Sequence, residues 1–272
     1  MTDANELDRE LADRCLARLG FAEPPATDLD GLSVLYGAWC RDVPFDNVRK
    51  LIALHRPIPG PLPGLDVNDF FRSWLDHGVG GTCWPSSHAL YSLIAHCGFT
   101  TRPLAASMYD AGIASHGTTV VVFDDDEWLV DSSMLFGVPL CLDPSGPTTI
   151  DDPTFRTTAE PVVEGWLFGF PKGNEDGLIP CRTITPGAVD VSFYAARYEW
   201  SRENSPFNEQ VNMRRNRGDS MVTYGGGVSL VRSGADVETT ELVGEELHRA
   251  LVDEMGLSAS IVEQLAAAVD LS

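Results

Sequence analysis

The sequence predicts an α+β fold in three successive parts: a helical segment, a β-rich segment and a mixed α/β segment. Three observations carry this. Apolar residues recur at helical spacing through the first hundred positions, short β-branched and aromatic runs broken by Gly, Pro and Asp fill the middle, and the last third mixes both patterns. The divisions fall after Gly98 and near Gly187, giving segments 1–98, 99–187 and 188–272.

The first helix spans residues 6–19, with Leu7, Leu11, Cys15, Leu16 and Leu19 on one face and Gly20 as its stop. Asp28 or Asp30 caps a second, whose apolar series is Leu32, Leu35, Tyr36 and Trp39. A third starts behind Asp66 and buries Phe70, Phe71, Trp74 and Leu75. The fourth opens at Trp84 or Pro85, because proline lacks the amide that a first turn leaves unpaired. Leu90, Leu93, Ile94 and Cys97 face inward before Gly98 ends it. TRPLAASMYD, GTTVVVF, EWLVDSSMLF and TAEPVVEGWLFGF then read as strands. FDDDEW is the exposed turn of a hairpin, since a calcium loop needs the wider EF-hand spacing. PGPLPG at 59–64 reads as a rigid surface loop, and HRALVDEMGLSASIVEQLAAAV as a closing helix.

Composition narrows the function classes. A chain of 272 residues that is 43% hydrophobic can bury a core without disulfide staples. Its 40 Asp and Glu against 19 Lys and Arg leave a formal charge of -21, which disfavours nucleic-acid and anionic-membrane partners. MTDANELDRE lacks the basic and apolar regions of a secretory signal, and no apolar run approaches the roughly 20 residues of a membrane span, so a cytoplasmic protein is expected. The six cysteines include no CxxC pair, and His55, His77, His88, His96 and His248 form no ligand set, so no metal is expected. Gly225, Gly226 and Gly227 lack the Lys-Ser/Thr of a phosphate loop and read as a turn.

GVGGTCWPSSHAL is the sharpest local feature. Gly80 and Gly81 allow close backbone approach before Cys83, which then sits at a helix start, where the helix dipole stabilises a thiolate and free amides can receive an acyl oxyanion. His116 in ASHGTTVVVF and Asp131 in EWLVDSSMLFG are candidate partners, the imidazole taking the thiol proton and the carboxylate orienting the imidazole. Taken singly, the three also fit a packed cysteine, a packed histidine and a turn aspartate.

The chain resembles the arylamine N-acetyltransferase family. PFDNV at 44–48 is similar to that family's PFENL segment, GGTC at 80–83 to its Gly-Gly-aromatic-Cys segment, and HALYSLIAHCGF at 88–99 to the helix that follows. His116, the LVD aspartate Asp131 and SPFNEQ at 205–210 match later family positions in order. The resemblance implies a three-domain fold of helical bundle, β-barrel and mixed α/β domain around a cysteine-protease-like core. It also implies Cys83, His116 and Asp131 as a catalytic triad for transfer from acetyl-CoA or another acyl thioester to a small-molecule amine, with no tightly bound cofactor. Phe45, Trp84, Phe136 and Phe207 are the candidate substrate aromatics, and Arg214, Arg215 and Arg217 the candidate contacts to CoA phosphates. Three departures stand out: Val79 replaces an Arg, Ser87 an Asn, and SSMLFG follows Asp131 where the family has V-G-F-G. They leave open a carrier-protein-dependent amide synthase or macrolactam-forming acyltransferase, in which an acyl carrier protein delivers the donor. The triad chemistry also admits a cysteine hydrolase or transglutaminase-like enzyme.

Overall fold

The computed structural model describes residues 6–55, 60–172, 177–184, 189–269 and 271. Both the division expected near Gly187 and the start of the loop at Pro59 lie outside the described residues.

Helices dominate the first third: α1 (Arg9–Arg18), α2 (Leu29–Asp42), α3 (Val48–His55), α4 (Val67–His77) and α5 (Cys83–His96), with the two-residue strand β1 (Phe45–Asp46) between α2 and α3. Asp8, Asp28 and Asp66 cap α1, α2 and α4 by accepting first-turn amides, as the capping rule requires. Helix α5 starts at Cys83, one residue before the expected Trp84, with Thr82 as its N-cap. Neither β1 nor α3 is anticipated by the sequence reading, because a two-residue strand and an eight-residue helix give too few repeats for a period to show.

The middle strands are β2 (Thr100–Met108), β3 (His116–Phe123), β4 (Asp126–Val130), β5 (Leu140–Cys141), β6 (Thr148–Ile150), β7 (Thr157–Val162), β8 (Gly165–Pro171) and β9 (Leu178–Ile184). They form an antiparallel sheet ordered β5-β4-β3-β2-β9-β8-β7-β6. The Thr148 hydroxyl on β6 donates to the Cys141 carbonyl on β5, drawing the two edges together into a nearly closed barrel. FDDDEW forms the β3–β4 turn, in which Asp124 takes a φ of 51°. The SSMLF half of the third expected strand stretch, EWLVDSSMLF, is corrected: the chain leaves β4 at Val130 and turns through Leu135, whose φ is 53°.

In the last third α6 (Val191–Trp200) precedes β10 (Asn212–Arg217), β11 (Ser220–Gly225), β12 (Val228–Ser233) and β13 (Asp236–Glu241), then α7 (Gly244–Arg249) and α8 (Ala259–Ala266). The expected closing helix is broken. Helix α7 runs into a π-helical turn at Ala250–Glu254, Gly256 turns the chain with a φ of 77°, and Ser258 caps α8. A five-stranded sheet ordered β1-β10-β11-β12-β13 places Phe45 opposite Arg214 and Asp46 opposite Met213, so β1 ties the helical third to the last. The largest core joins Trp39, Phe70, Phe71 and Trp74 of the helices to Phe168 and Phe170 of the barrel. A second unites Val48, Leu51 and Val79 with Met213, Val222, Leu251 and Val262.

Candidate active site

The segment PFDNV fastens the chain just ahead of Cys83. The Gly80 amide donates to Asp46 Oδ2 at 2.5 Å, the Val48 amide to Asp46 Oδ1 at 3.0 Å, and the Asp46 amide to the Gly81 carbonyl at 3.1 Å. Burial pushes the Asp46 carboxyl up to about 6, against the opposing pull of those two amides and Arg49. A Cβ on Gly80 would lie 1.8 Å from the Pro44 carbonyl oxygen, so only glycine permits this approach. Asn47 holds the other side: its Nδ2 donates to the carbonyls of Phe207 and Gln210, and its Oδ1 accepts from the Asn212 amide.

Cys83 therefore emerges at the first turn of α5, where no side chain caps the helix, and its thiol donates to the Ser115 carbonyl at 3.6 Å. One residue further, at the start of β3, His116 lies buried with Nε2 2.7 Å from Asp131 Oδ2. Burial works against the imidazolium, but Asp131 and a side-chain hydrogen bond with Cys83 raise His116 to about 10. Burial likewise opposes ionisation of Asp131, and His116 together with the amides of Met134 and Ser133 overcomes it, holding the carboxyl below its ordinary value. With Nε2 engaged by Asp131, Nδ1 is the imidazole nitrogen left for the sulfur. The arrangement can generate a thiolate beside an imidazolium.

Backbone alignment depends on two further groups. The Tyr36 hydroxyl of α2 bonds both backbone groups of Asp131. Ser87 Oγ donates to the Gly117 carbonyl at 2.6 Å and lies 3.0 Å from Ser132 Oγ, so the residue standing where the resembling family has Asn ties α5 to β3 and to the loop after Asp131.

A cavity of about 200 Å³ opens on Cys83 and His116 and is lined in part by Phe45, Phe207, Met134 and Arg214. Phe45 and Phe207 meet edge to face at 5.2 Å in its wall. Two other candidate aromatics do not line this cavity. Trp84 packs against Phe193 and Tyr194, and Phe136 is buried between Tyr36 and Phe170. Phe170 in turn lies 6.0 Å from the His116 ring, so Phe136 supports the imidazole at one remove.

The three arginines are also separated. Strand alternation turns Arg214 to the cavity and Arg215 and Arg217 to the opposite face, where Arg215 donates to the Met255 carbonyl and Arg217 pairs with Glu254 at 3.7 Å. Sequence reasoning missed Tyr36, Asp46, Asn47, Ser133 and Thr223; for Asp46 and Asn47 the signal was their place inside PFDNV. Among the described residues no group of three His, Cys, Asp or Glu side chains could hold a metal, and no helix is long and apolar enough to cross a membrane.

Comparison with known proteins adds four findings. The N-acetyltransferase family model matches residues 28–262. The structure of Mycobacterium marinum arylamine N-acetyltransferase superposes with a TM-score of 0.80 at 18% identity, covering 95% of this chain and 98% of that one. The same enzyme in complex with CoA gives 0.80 at 18% identity, covering 94% and 97%. Proansamycin X synthase of Amycolatopsis mediterranei (strain S699) is 27% identical over 122 residues, 43% of this chain, and the match spans only 45% of that relative's length.

Proposed function

The chain belongs to the N-acetyltransferase family and has the arylamine N-acetyltransferase fold, and from that premise we propose that this acyltransferase works in two half-reactions through Cys83, with an acyl-CoA as donor and an arylamine as acceptor. The observation that carries the reading is the buried His116–Asp131 contact at 2.7 Å opening on the same cavity as Cys83.

In the first half-reaction the Cys83 thiolate attacks the thioester carbonyl carbon. The new S–C bond forms, the donor's C–S bond breaks, and the His116 imidazolium gives its proton to the departing thiolate. Uncapped amides at the start of α5 stand ready for the oxyanion. In the second, an amine attacks the acyl carbon and neutral His116 takes its proton, so the amide leaves and the Cys83 thiolate returns. Asp131 keeps the imidazole oriented throughout, and its charge favours the imidazolium that is present before the first half-reaction and restored after the second. Phe45 and Phe207 supply a ring-sized apolar wall for an aromatic amine.

A second reading, amide synthesis from a carrier-bound or long acyl chain, is favoured by the similarity to proansamycin X synthase and by the changed loop after Asp131. The charge of -21 weighs against an acidic carrier surface and for a small thioester. Intact-protein mass measurement after exposure to acetyl-CoA tests the main reading: one acetyl group should appear in the wild type and none in Cys83→Ala. Persistence of that acyl group until an arylamine is added separates transfer from hydrolysis. If only carrier-bound donors acylate Cys83, the synthase reading replaces it.

A further inference from the structure

We propose that the cavity beside Cys83 contains a subsite for a carboxylate carried by the substrate, built from Arg214, Thr223 and Ser133, a deepening of the acyl-transfer reading on which it rests. Arg214 and Thr223 are direct partners across β10 and β11, and Phe45 continues the same row on β1, so the three side chains share the sheet face that forms the cavity wall. Ser133 reaches the cavity from the loop after Asp131, its position fixed by the amide it donates to Asp131 Oδ1.

All three side chains lack a strong acceptor. Arg214 Nη1 donates to the thioether sulfur of Met134 at 3.2 Å, a weak acceptor, and no carboxylate among the described residues lies within ion-pairing distance of its guanidinium. Ser133 is 4% exposed and its Oγ has no hydrogen-bond partner; the buried Thr223 Oγ1 has none either. Buried hydroxyls and guanidinium groups are ordinarily paired, and two unpartnered hydroxyls beside a guanidinium bonded to a thioether define a place for an acceptor-rich anion.

Its chemistry follows from charge and distance. One guanidinium and two hydroxyls match a planar monoanion, while the buried Asp131 carboxylate nearby disfavours a second negative charge. The phosphates of CoA lie a full pantetheine arm from the thioester carbon that must meet Cys83, too far for this 200 Å³ cavity to hold both. The carboxylate therefore belongs to the amine acceptor or to the acyl chain.

Calorimetric titration separates the two sources without requiring turnover. The first pair is 3-aminobenzoate against 3-aminobenzamide on the unacylated protein. The second is succinyl-CoA against butyryl-CoA on Cys83→Ala, which cannot be acylated there. In one pair the carboxylate member should bind at least about tenfold more tightly. Arg214→Met should erase that ratio and Arg214→Lys should keep part of it, with native circular dichroism in both. If Arg214→Met does not fold, the double variant Ser133→Ala with Thr223→Val decides, a reduced ratio supporting the subsite and an unchanged one overturning it. Equal binding within both pairs, or a preference that survives Arg214→Met, overturns the proposal. Failure of every thioester to acylate Cys83 strikes the transfer reading instead and leaves the binding ratios to stand.

Discussion

The Tyr36 hydroxyl is bonded to both backbone groups of Asp131, donating to the carbonyl at 2.8 Å and accepting from the amide at 3.1 Å. One phenol on α2 thus fixes the first residue after β4, and with it the carboxylate that faces His116. Tyr36→Phe keeps the ring and its edge contact with Phe136 but leaves the buried Asp131 amide unpaired and its carbonyl with only the 3.3 Å bond from the Leu135 amide. The expected loss is roughly 1–3 kcal/mol of stability, and a loosened Asp131 should lower transfer about tenfold to a hundredfold. Thermal melts and steady-state rates check it; an unchanged Tm would show that the bonds contribute nothing.

Thiol chemistry should single out one of the six cysteines. Burial pushes the thiols of Cys15 and Cys40 up to about 12 and that of Cys97 up to about 11, and it raises Cys141 and Cys181 as well. A limited dose of iodoacetamide at pH 7 is therefore expected to add one carbamidomethyl group, on Cys83, and peptide mapping reads its position. Labelling spread over several cysteines would contradict the assignment of the nucleophile.

The His116–Asp131 pair sets the pH dependence. His116 is raised from 6.5 to about 10, so its contribution to stability is fully present below about 6.5 and is lost as pH rises through about 10. Asp131 is lowered, so its contribution is present above its ordinary 3.8 and is lost as pH falls through the lower folded value. Asp131→Asn removes the anion that holds the proton on His116. The stability advantage of wild type over Asp131→Asn should be large at pH 7 and shrink by pH 10, as measured by Tm across that range. An advantage that grew with pH would reverse the assigned direction.

Helices α1, α2, α4 and α5 were readable because each carries several turns of apolar repeat and an Asp or Pro at its start. That Cys83, His116 and Asp131 lie together was readable because the proposed chemistry needs three residue types and the flanking segments resemble a family that has them in this order. What stayed hidden depends on contacts remote in sequence. Nothing local tells that Tyr36 reaches Asp131 across 95 positions, or that Asn47 clasps the turn at 207–212. Trp84 misled for a related reason: beside Cys83 in sequence, it lies a hundred degrees around α5 and packs on Tyr194 instead. Arg215 and Arg217 fall to strand alternation, which a run of basic residues conceals until the strand's facing is known.

Asp46 offers the last test because one side chain serves two amides. Each carboxylate oxygen accepts one, Gly80 on Oδ2 and Val48 on Oδ1. Asparagine has a single carbonyl oxygen, so Asp46→Asn must turn an NH2 toward one of the amides and lose that bond. If the Gly80 bond is lost, the segment before Cys83 swings and the sulfur is misplaced; about tenfold or more in transfer rate should go with it. The pH sign differs from that of the Asp131 pair. Burial raises Asp46 from 3.8 to about 6, so between those values the folded state holds the extra proton. Its contribution is therefore greatest at low pH and is lost as pH rises through about 6. The Tm advantage of wild type over Asp46→Asn should be larger at pH 5 than at pH 8. The opposite trend would mean that the two amides outweigh burial and hold Asp46 ionised at its ordinary value or below.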